Sequence, residues 1–213
     1  AGARGQDDVI REFHNWYYNN GTQTWRNTKW MGIPVWKMPF DMWIYQELIV
    51  EQKPDVLVEC GTWKGGSALF FAHMMDPLRK GRVISVDIQP QPNLPQHPRI
   101  TYLSGSSSSP AVVDKVRSLI KPGEKVMVAL DSDHAKPHVL NECQLYGPMV
   151  SVGSYLVVED TNANGHPVLP GFGPGPMEAV QEFLRSDDRF AVDRSREKFG
   201  FTFNPSGHLK RLK

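Results

Sequence analysis

Short apolar runs alternate with longer segments of mixed polarity through most of this 213-residue chain. The apolar runs predict strands at 56–59, 82–87, 100–103, 126–130 and 154–158. The other segments predict helices at roughly 66–78, 110–120, 136–149 and 176–186. Continuous apolar strands separated by helices are typical of a parallel sheet covered on both faces, so the pattern predicts an α/β fold.

The two ends of the chain carry different patterns. A helix is predicted after Pro39, over residues 40–52. Before it, residues 7–36 hold four of the six tryptophans. This density predicts a lid or collar over residues 1–38 that packs on the body, on a partner subunit or over a ligand. Residues 39–213 are then predicted to form the main domain. The last segment, "RFAVDRSREKFGFTFNPSGHLKRL", predicts two extended segments and a turn in antiparallel pairing. A parallel sheet closed by an antiparallel hairpin is the plan of Rossmann-like methyltransferases.

Composition narrows the class of protein. Lys plus Arg (24) nearly balances Asp plus Glu (23), which argues against a nucleic-acid or membrane-surface partner. No apolar run approaches the roughly 20 residues that a membrane span requires. The polar start lacks the apolar segment of a signal peptide, and only Cys60 and Cys143 are present. A cytoplasmic location is therefore expected.

The first two strands end in residues suited to a nucleotide-like ligand. In "VLVECGTWKGGSALFF", Gly61 lies in a tight strand-to-helix turn, where backbone N–H groups can meet a carboxylate or phosphate. The turn alone is a weak signal. Asp87 ends the next strand, where an acidic residue suits ribose hydroxyls; alternatively, it is a turn aspartate before two prolines. Ser106 in "SGSSSSP" either lines an adenine pocket or belongs to a helix cap.

The fourth and fifth strands end in carboxylates. Asp131 and Asp133 follow one strand, and Glu159 and Asp160 follow the next. Neighbouring parallel strands would bring them together, and such a group repels itself unless a cation lies among the carboxylates. Oxygen ligands favour Mg²⁺ over Mn²⁺ or Ca²⁺. A coincidental group of turn carboxylates is the alternative.

Histidines near these strand ends are candidates for proton transfer. His134 is either a general base for a substrate hydroxyl or a residue that caps a helix or orients a ligand. His138 is expected to be structural. Zinc is disfavoured because no tetrahedral Cys/His spacing occurs. An iron site would need His166, in the Gly/Pro-rich loop "NANGHPVLPGFGPGPMEAV", and is also disfavoured; a loop of that length is often a functional lid.

With these residues identified, the chain resembles the cephalosporin hydroxylase/rhamnosyl O-methyltransferase family over almost its full length. The likeness is carried by particular segments, among them "TWRNTKWMGIPVWKMPFDMWIYQELI", "PDVLVECGTWKGGSALFFA", "LDSDHAKPHVLNECQLYGPMVSVGSYLVVEDT" and "FTFNPSGHLKR". The resemblance implies a Rossmann-like fold, S-adenosylmethionine and Mg²⁺ as cofactors, and homo-oligomers. It also implies a small-molecule acceptor hydroxyl on a sugar, a catechol-like compound or a natural product.

The resemblance also implies roles for individual residues. The resemblance assigns binding of S-adenosylmethionine to Glu59, Gly61, Thr62, Ser67 and Asp87. Cofactor contact is also expected of Ser106 and Asp131, from their places after the strands. Binding of the metal is assigned to Asp131, Glu159 and Asp160, and His134 is the candidate base. The Asp-x-Asp sequence leaves one ambiguity, because Asp133 could ligate in place of Asp131 or orient the cofactor; Asp131 is favoured because it directly follows the strand.

Two other functions remain open at this stage. Asp131-Ser132-Asp133 is the kind of Asp-x-Asp that holds nucleotide-sugar diphosphates, so a metal-dependent glycosyltransferase is the rival enzyme. That function does not account for the Gly61 turn followed by Asp87. A nucleoside-binding or scaffold protein that keeps only the cofactor pocket is the non-enzymatic rival, and the full set of carboxylates argues against it.

Overall fold

The computed structural model describes residues 5–89 and 91–213, so the first four residues of the predicted collar and Pro90 lie outside it. The N-terminal segment contains α1 (Gln6–Asn19), a 3₁₀ turn (Thr24–Asn27) and a short hairpin of β1 (Lys29–Trp30) and β2 (Ile33–Pro34). The main body begins with α2 (Pro39–Gln52). It continues with β3 (Val56–Cys60), α3 (Gly66–Met75), β4 (Arg82–Asp87), β5 (Ile100–Ser104), α4 (Pro110–Leu119), β6 (Val126–Leu130), α5 (Lys136–Tyr146), β7 (Tyr155–Val158), α6 (Pro176–Ser186), β8 (Phe190–Val192) and β9 (His208–Arg211).

The central sheet has seven strands in the order β5-β4-β3-β6-β7-β9-β8. The strands from β3 to β7 run parallel, whereas β9 pairs antiparallel with both β7 and β8. The predicted α/β fold, with its antiparallel C-terminal strands, is confirmed. The order reverses between β3 and β6, and ligands of open α/β sheets bind at such a switch point.

Prolines account for the places where helices stop earlier than the sequence pattern indicates. The helix predicted at 66–78 ends at Met75, just before Pro77, and the one predicted at 136–149 ends at Tyr146. Residues Gly147–Met149 form a 3₁₀ turn instead, because Pro148 has no N–H to donate to the preceding helical turn. At the other end, Ser109 caps α4 by accepting a hydrogen bond from the Val112 N–H.

Alternate side chains of the strands build two hydrophobic layers. Val56 and Val58 of β3 belong to the cluster that includes α4, α5 and α6, while Leu57 points to the opposite layer with α2 and α3. Burying one such side chain contributes about 1.5–3 kcal/mol to folding, so both faces of the sheet require helical cover. None of the helices among the described residues combines the length and apolar character needed to cross a bilayer.

The N-terminal segment packs on the carboxyl edge of the sheet. Trp25 and Met38 are buried against Phe201 and Phe203. Its hairpin also meets the start of α3, since a Cβ on Gly66 would lie 2.2 Å from the Pro34 carbonyl oxygen. The segment is therefore held directly above the edge where the parallel strands end.

Candidate active site

The strand ends that carry polar residues lie level with one another. Cys60 of β3 is opposite Leu130 of β6, and Leu130 is opposite Val158 of β7. The next residues of β6 and β7, Asp131 and Glu159, therefore emerge together at the carboxyl edge of the sheet. A cavity of about 530 Å³ opens there.

Gly61 is required by close contact between two loops. Its φ is +104°, and a Cβ would lie 1.8 Å from the Asp131 carbonyl oxygen. The Asp131 N–H in turn donates to the Cys60 carbonyl at 2.8 Å. Because no side chain can stand at Gly61, the backbone itself forms this wall of the cavity.

Glu59 lies behind the wall and does not line the cavity. It is fully buried, and its two oxygens accept hydrogen bonds from the Ser67 and Ser85 hydroxyls. The Ser85 hydroxyl also bonds Thr62 at 2.6 Å. Burial raises the pKa of Glu59 to about 7. Glu59 therefore orients Ser67 directly and Thr62 through Ser85, and both of these residues line the cavity.

Asp87 and Ser106 line the side of the cavity formed by β4 and β5. The Asp87 carboxylate accepts hydrogen bonds from the Trp63 N–H at 2.7 Å and the Gln89 N–H at 2.8 Å, which fix its direction. Trp63 adopts φ +44°, a left-handed conformation that costs a bulky residue of order 1–3 kcal/mol. The Asp87 bond helps to hold that conformation.

Asp131, His134 and Asp160 form a compact group, here called the strand-end cluster. One ligand atom from each lies within 4.8 Å of the others. The His134 Nε2 atom lies 3.2 Å from Asp160 Oδ2 and 3.9 Å from Asp131 Oδ1. All three side chains line the cavity, so the sequence-predicted base and two of the predicted ligands meet.

Glu159, the third predicted ligand, is bound to a lysine that the sequence analysis did not single out. The Lys37 ammonium lies 2.6 Å from Glu159 Oε1 and 2.7 Å from Asp131 Oδ2. The Tyr45 hydroxyl donates to the same Glu159 oxygen at 2.7 Å. Lys37 is the one charged residue in the apolar and aromatic stretch "IPVWKMPF". A lone charge in such a stretch was the sequence signal that could have indicated a buried ion pair.

Electrostatics in this region are dominated by burial and by like charges. Burial, with mutual repulsion, raises the pKa values of Asp131, Glu159 and Asp160. Burial alone would lower the pKa of His134, but Asp160 and Asp131 outweigh it and the pKa lies above its usual value. The same balance holds for Lys37, whose pKa is raised by Asp131 and Glu159 against the effect of burial.

Asp133 is placed differently from the other predicted ligands. Its side chain is exposed and accepts a hydrogen bond from the Ala135 N–H at 2.8 Å, just before α5. It borders the cavity but is not part of the strand-end cluster. The structure thus brings Asp131 to the cluster and leaves Asp133 at the helix start.

The Gly/Pro-rich loop at 161–175 contributes no side chain to the cavity wall. The His166 Nε2 atom lies 2.8 Å from Glu178 Oε1, and Glu178 also accepts from the Gly175 N–H at 2.7 Å. His166 therefore stabilises the loop and the start of α6. The lining from outside the main body comes instead from the N-terminal segment, through Trp25 and residues 34–37.

A second buried carboxylate behind the cavity was also missed. Glu142 is fully buried and accepts hydrogen bonds from the Ser107 hydroxyl at 2.5 Å and the Ser132 hydroxyl at 2.7 Å. His138 lines the cavity, and its Nε2 atom lies 3.1 Å from Ser132 Oγ. The available sequence signal was the spacing of His138 and Glu142, one turn apart on a helix that covers the sheet. Such a pair could have predicted a polar contact on the buried side of the helix.

A parallel sheet closed by antiparallel C-terminal strands, with a glycine turn and carboxylates at its switch point, is the arrangement of Rossmann-like methyltransferases. The chain belongs to the Rhamnosyl O-methyltransferase/CmcI family, whose model matches residues 22–212. It is an S-adenosylmethionine-dependent O-methyltransferase. The sequence-based resemblance is confirmed.

Individual relatives agree with this assignment. A "Rhamnosyl O-methyltransferase" of Mycobacterium bovis (strain BCG / Pasteur 1173P2) is 42% identical over 219 residues, covering 98% of this chain and 87% of the relative. The Mycobacterium leprae (strain TN) protein of the same name is 44% identical over 215 residues, covering 98% and 93%.

Solved structures share the fold at low sequence identity. A CmcI structure with Mg and SAM has a TM-score of 0.65 and 20% identity, covering 88% of this chain and 78% of that one. The MycE methyltransferase with Mg, SAH and mycinamycin VI has a TM-score of 0.51 and 24% identity, covering 71% and 39%.

Proposed function

We propose that the chain transfers the methyl group of S-adenosylmethionine to a hydroxyl of a sugar, and that the reaction depends on a divalent cation, with Mg²⁺ the first choice. One observation carries the proposal: Asp131, His134 and Asp160 converge beside a cavity whose wall is the Gly61 turn. The cavity and the cluster supply, side by side, a place for a nucleoside cofactor and a place for a cation.

The residues that line the cavity suit the chemistry of the cofactor. The Gly61 backbone allows close approach, and the start of α3 (Gly66–Met75) offers free N–H groups to a carboxylate. Thr62 and Ser67 line the same wall. Asp87, with its carboxylate oriented by two backbone N–H groups, is suited to ribose hydroxyls.

The donor set fits a hard cation. Asp131 and Asp160 each present an oxygen to the strand-end cluster, and Glu159, which directly follows β7, shares the Lys37 ammonium with Asp131. These carboxylates have raised pKa values, which means that their ionised forms lack sufficient compensation within the chain. A bound divalent cation would supply that compensation, lower the pKa of an acceptor hydroxyl and fix its direction.

His134 is the residue placed to accept the proton of the acceptor hydroxyl. One ring nitrogen cannot both ligate a cation and take up a proton, and the carboxylates provide enough ligands without it. The Nε2 atom faces Asp160 at 3.2 Å, so the imidazolium formed by proton uptake is stabilised where it forms. In the metal-free chain, Asp160 and Asp131 raise the pKa of His134 above its usual value.

Aromatic side chains at the cavity support a sugar acceptor. The Trp36 and Trp63 rings lie 4.3 Å apart between centroids, and both line the cavity with Trp25. Indole faces pack well against the C–H faces of a sugar ring, while the hydroxyls remain free to reach the cluster. The names of the curated relatives, rhamnosyl O-methyltransferases, favour a rhamnosyl group.

Titration and turnover together test this proposal. Calorimetry should show binding of S-adenosylhomocysteine and none of a nucleoside diphosphate. A labelled methyl donor should transfer its methyl group to rhamnosides with Mg²⁺ and not with excess chelator. Transfer that persists in chelator would exclude the cation, and transfer to catechols but not to rhamnosides would exclude the sugar acceptor.

The nucleotide-sugar glycosyltransferase has no support in the geometry. Its Asp-x-Asp would need both carboxylates on one diphosphate-bound cation. Asp133 instead faces the Ala135 N–H, whereas Asp131 faces Lys37 and the strand-end cluster. The diphosphate titration above decides the point directly.

A further inference from the structure

A lysine occupies the space between two of the proposed metal ligands. The Lys37 ammonium contacts Asp131 Oδ2 and Glu159 Oε1, at 2.7 and 2.6 Å, and only 3% of the lysine side chain is exposed. Among ionisable side chains a buried lysine is rare, and one that bridges carboxylates from two strands is a specific construction.

The chain around Lys37 holds it there. Val35 and Met38, on either side, are buried, and Pro39 begins α2. The preceding hairpin is pressed against Gly66, where a Cβ would meet the Pro34 carbonyl. The backbone at Lys37 therefore has little freedom, and the ammonium can leave the carboxylates only by rotation of its own side chain.

The charges do not balance with lysine alone. Asp131, Glu159 and Asp160 supply three negative charges, and Lys37 supplies one positive charge. Glu59 is close enough to act on Lys37 as well. A divalent cation is therefore still attracted to the carboxylates, but two of the oxygens that it would use are bonded to the ammonium.

We propose that Lys37 is a tethered counter-ion that competes with the divalent cation for Asp131 and Glu159. In the metal-free protein it keeps the ends of β6 and β7 together, and on metal binding its ammonium gives up at least one carboxylate. This inference rests on the proposed function in one respect only, which is that a divalent cation binds at these carboxylates. Lys37 lines the cavity and acts as a positioning residue, through the two carboxylates that its ammonium contacts.

Titration of metal-free protein with MgCl₂ tests the competition without any methyl transfer. Lys37→Met removes the competing charge, so we expect Mg²⁺ to bind at least about tenfold more tightly than to the wild type. Lys37→Gln keeps a hydrogen-bond donor on a shorter side chain, loses the charge, and should shift the affinity in the same direction. Unchanged or weaker Mg²⁺ binding in both variants would overturn the proposal.

Thermal unfolding supplies a second readout. In chelator the Lys37→Met protein should melt below the wild type, because two buried carboxylates lose their partner. Mg²⁺ should then raise the melting temperature of the variant by more than that of the wild type. If the variant is too unstable in chelator, Lys37→Gln provides the same comparison, and an equal Mg²⁺ effect in variant and wild type would contradict the competition.

Lys64→Met is the matched control. Lys64 is exposed beside the cavity, with its ammonium 5.1 Å from the centre of the Trp63 ring. The variant loses the same charge without touching the bridged carboxylates, so its Mg²⁺ affinity should stay within about twofold of the wild type. None of these Mg²⁺ titrations uses an acceptor. A failure of the protein to methylate sugars would therefore refute the proposed function without affecting the test of competition between Lys37 and Mg²⁺.

Discussion

Among the residues that the structure describes, two clusters contain the residue types of a metal site, and they differ in the hydrogen bonds that their ligand atoms already make. The strand-end cluster joins Asp131, His134 and Asp160. The second cluster, here called the α3 cluster, joins His73, Asp76 and His97 with the same closeness of ligand atoms. The pKa values of the carboxyl groups are raised in the first cluster and lowered in the second. Residue composition and proximity are therefore not enough to predict a metal site.

All three residues of the α3 cluster already take part in hydrogen bonds. The Trp30 indole donates to His73 Nδ1 at 3.0 Å, and the Arg99 N–H donates to His97 Nδ1 at 3.2 Å. A neutral imidazole whose Nδ1 accepts must carry its proton on Nε2, so neither ring offers Nε2 to a cation. Asp76 is bonded to Arg99, at 2.7 Å, and to His97.

The pKa values of the carboxylates point in opposite directions. The hydrogen bond from Arg99 holds the pKa of Asp76 below its usual value. Burial and neighbouring carboxylates raise the pKa values of Asp131 and Asp160. A carboxylate that resists ionisation in the folded chain gains the most from a bound cation, and this is why we assign the cation to the strand ends.

Removal of a strand-end carboxylate should have the largest effect. For Asp160→Asn or Asp131→Asn we expect methyl transfer to fall by about a thousandfold or more, because the lost cation contributes several kcal/mol to the transition state. Mg²⁺ binding by calorimetry should disappear, while S-adenosylhomocysteine still binds. Near-normal turnover in either variant would break the distinction between the two clusters.

His134→Gln separates a base from a ligand. We expect turnover to fall by about 10²–10⁴-fold, as for loss of a general base, and the acidic limb of the pH–rate profile to vanish. Mg²⁺ affinity should change little, because oxygen ligands carry the binding. A large loss of Mg²⁺ affinity with a pH profile like that of the wild type would instead make His134 a metal ligand.

The clusters should respond with opposite sign when a carboxylate is neutralised in metal-free protein. Because the folded-state pKa of Asp160 is raised, its ionised form costs stability as the pH rises through that pKa. Asp160→Asn should therefore melt above the wild type in chelator at pH 8, with a difference that shrinks at lower pH. Asp76→Asn should melt slightly below the wild type, and the same sign for both variants would refute this account.

Substitutions in the α3 cluster should have the smallest effect on function. For Asp76→Asn and His97→Gln we expect methyl transfer and Mg²⁺ affinity within about twofold of the wild type. The loss of a partly exposed ion pair should cost at most about 1 kcal/mol of unfolding free energy, measured by denaturant. A change of tenfold in Mg²⁺ affinity would show that the α3 cluster binds the cation after all.

Sequence patterns predicted those parts of the site whose positions follow from strand geometry. Asp131 and Glu159 meet because each directly follows a strand of a parallel pair, and strand ends of such a pair are level. The Gly61 turn and Asp87 were found in the same way. Assignment of the adjacent Asp133 to the metal could not be decided, because a local bond to the Ala135 N–H sets its direction.

Contacts between residues far apart in the chain could not be predicted from sequence patterns. Lys37 and Glu159 are joined by a contact that depends on how the N-terminal hairpin rests on α3. Glu59 was expected to touch the cofactor, but its bonds to Ser67 and Ser85 place it behind the wall. Likewise, β9 inserts between β7 and β8, although the pattern indicated only two paired extended segments.

The amino-acid sequence by itself determined the alternation of strands and helices, the carboxyl edge as the place of chemistry, and the acidic residues that emerge there, because these depend on local periodicity and on the direction of each strand. Tertiary structure alone decided which charges are compensated. Compensation depends on contacts between segments distant in sequence, such as Lys37 with the strand ends and Trp30 with His73. That pairing of donors and acceptors is what separates the proposed cation site from the hydrogen-bonded α3 cluster, which has the same residue types.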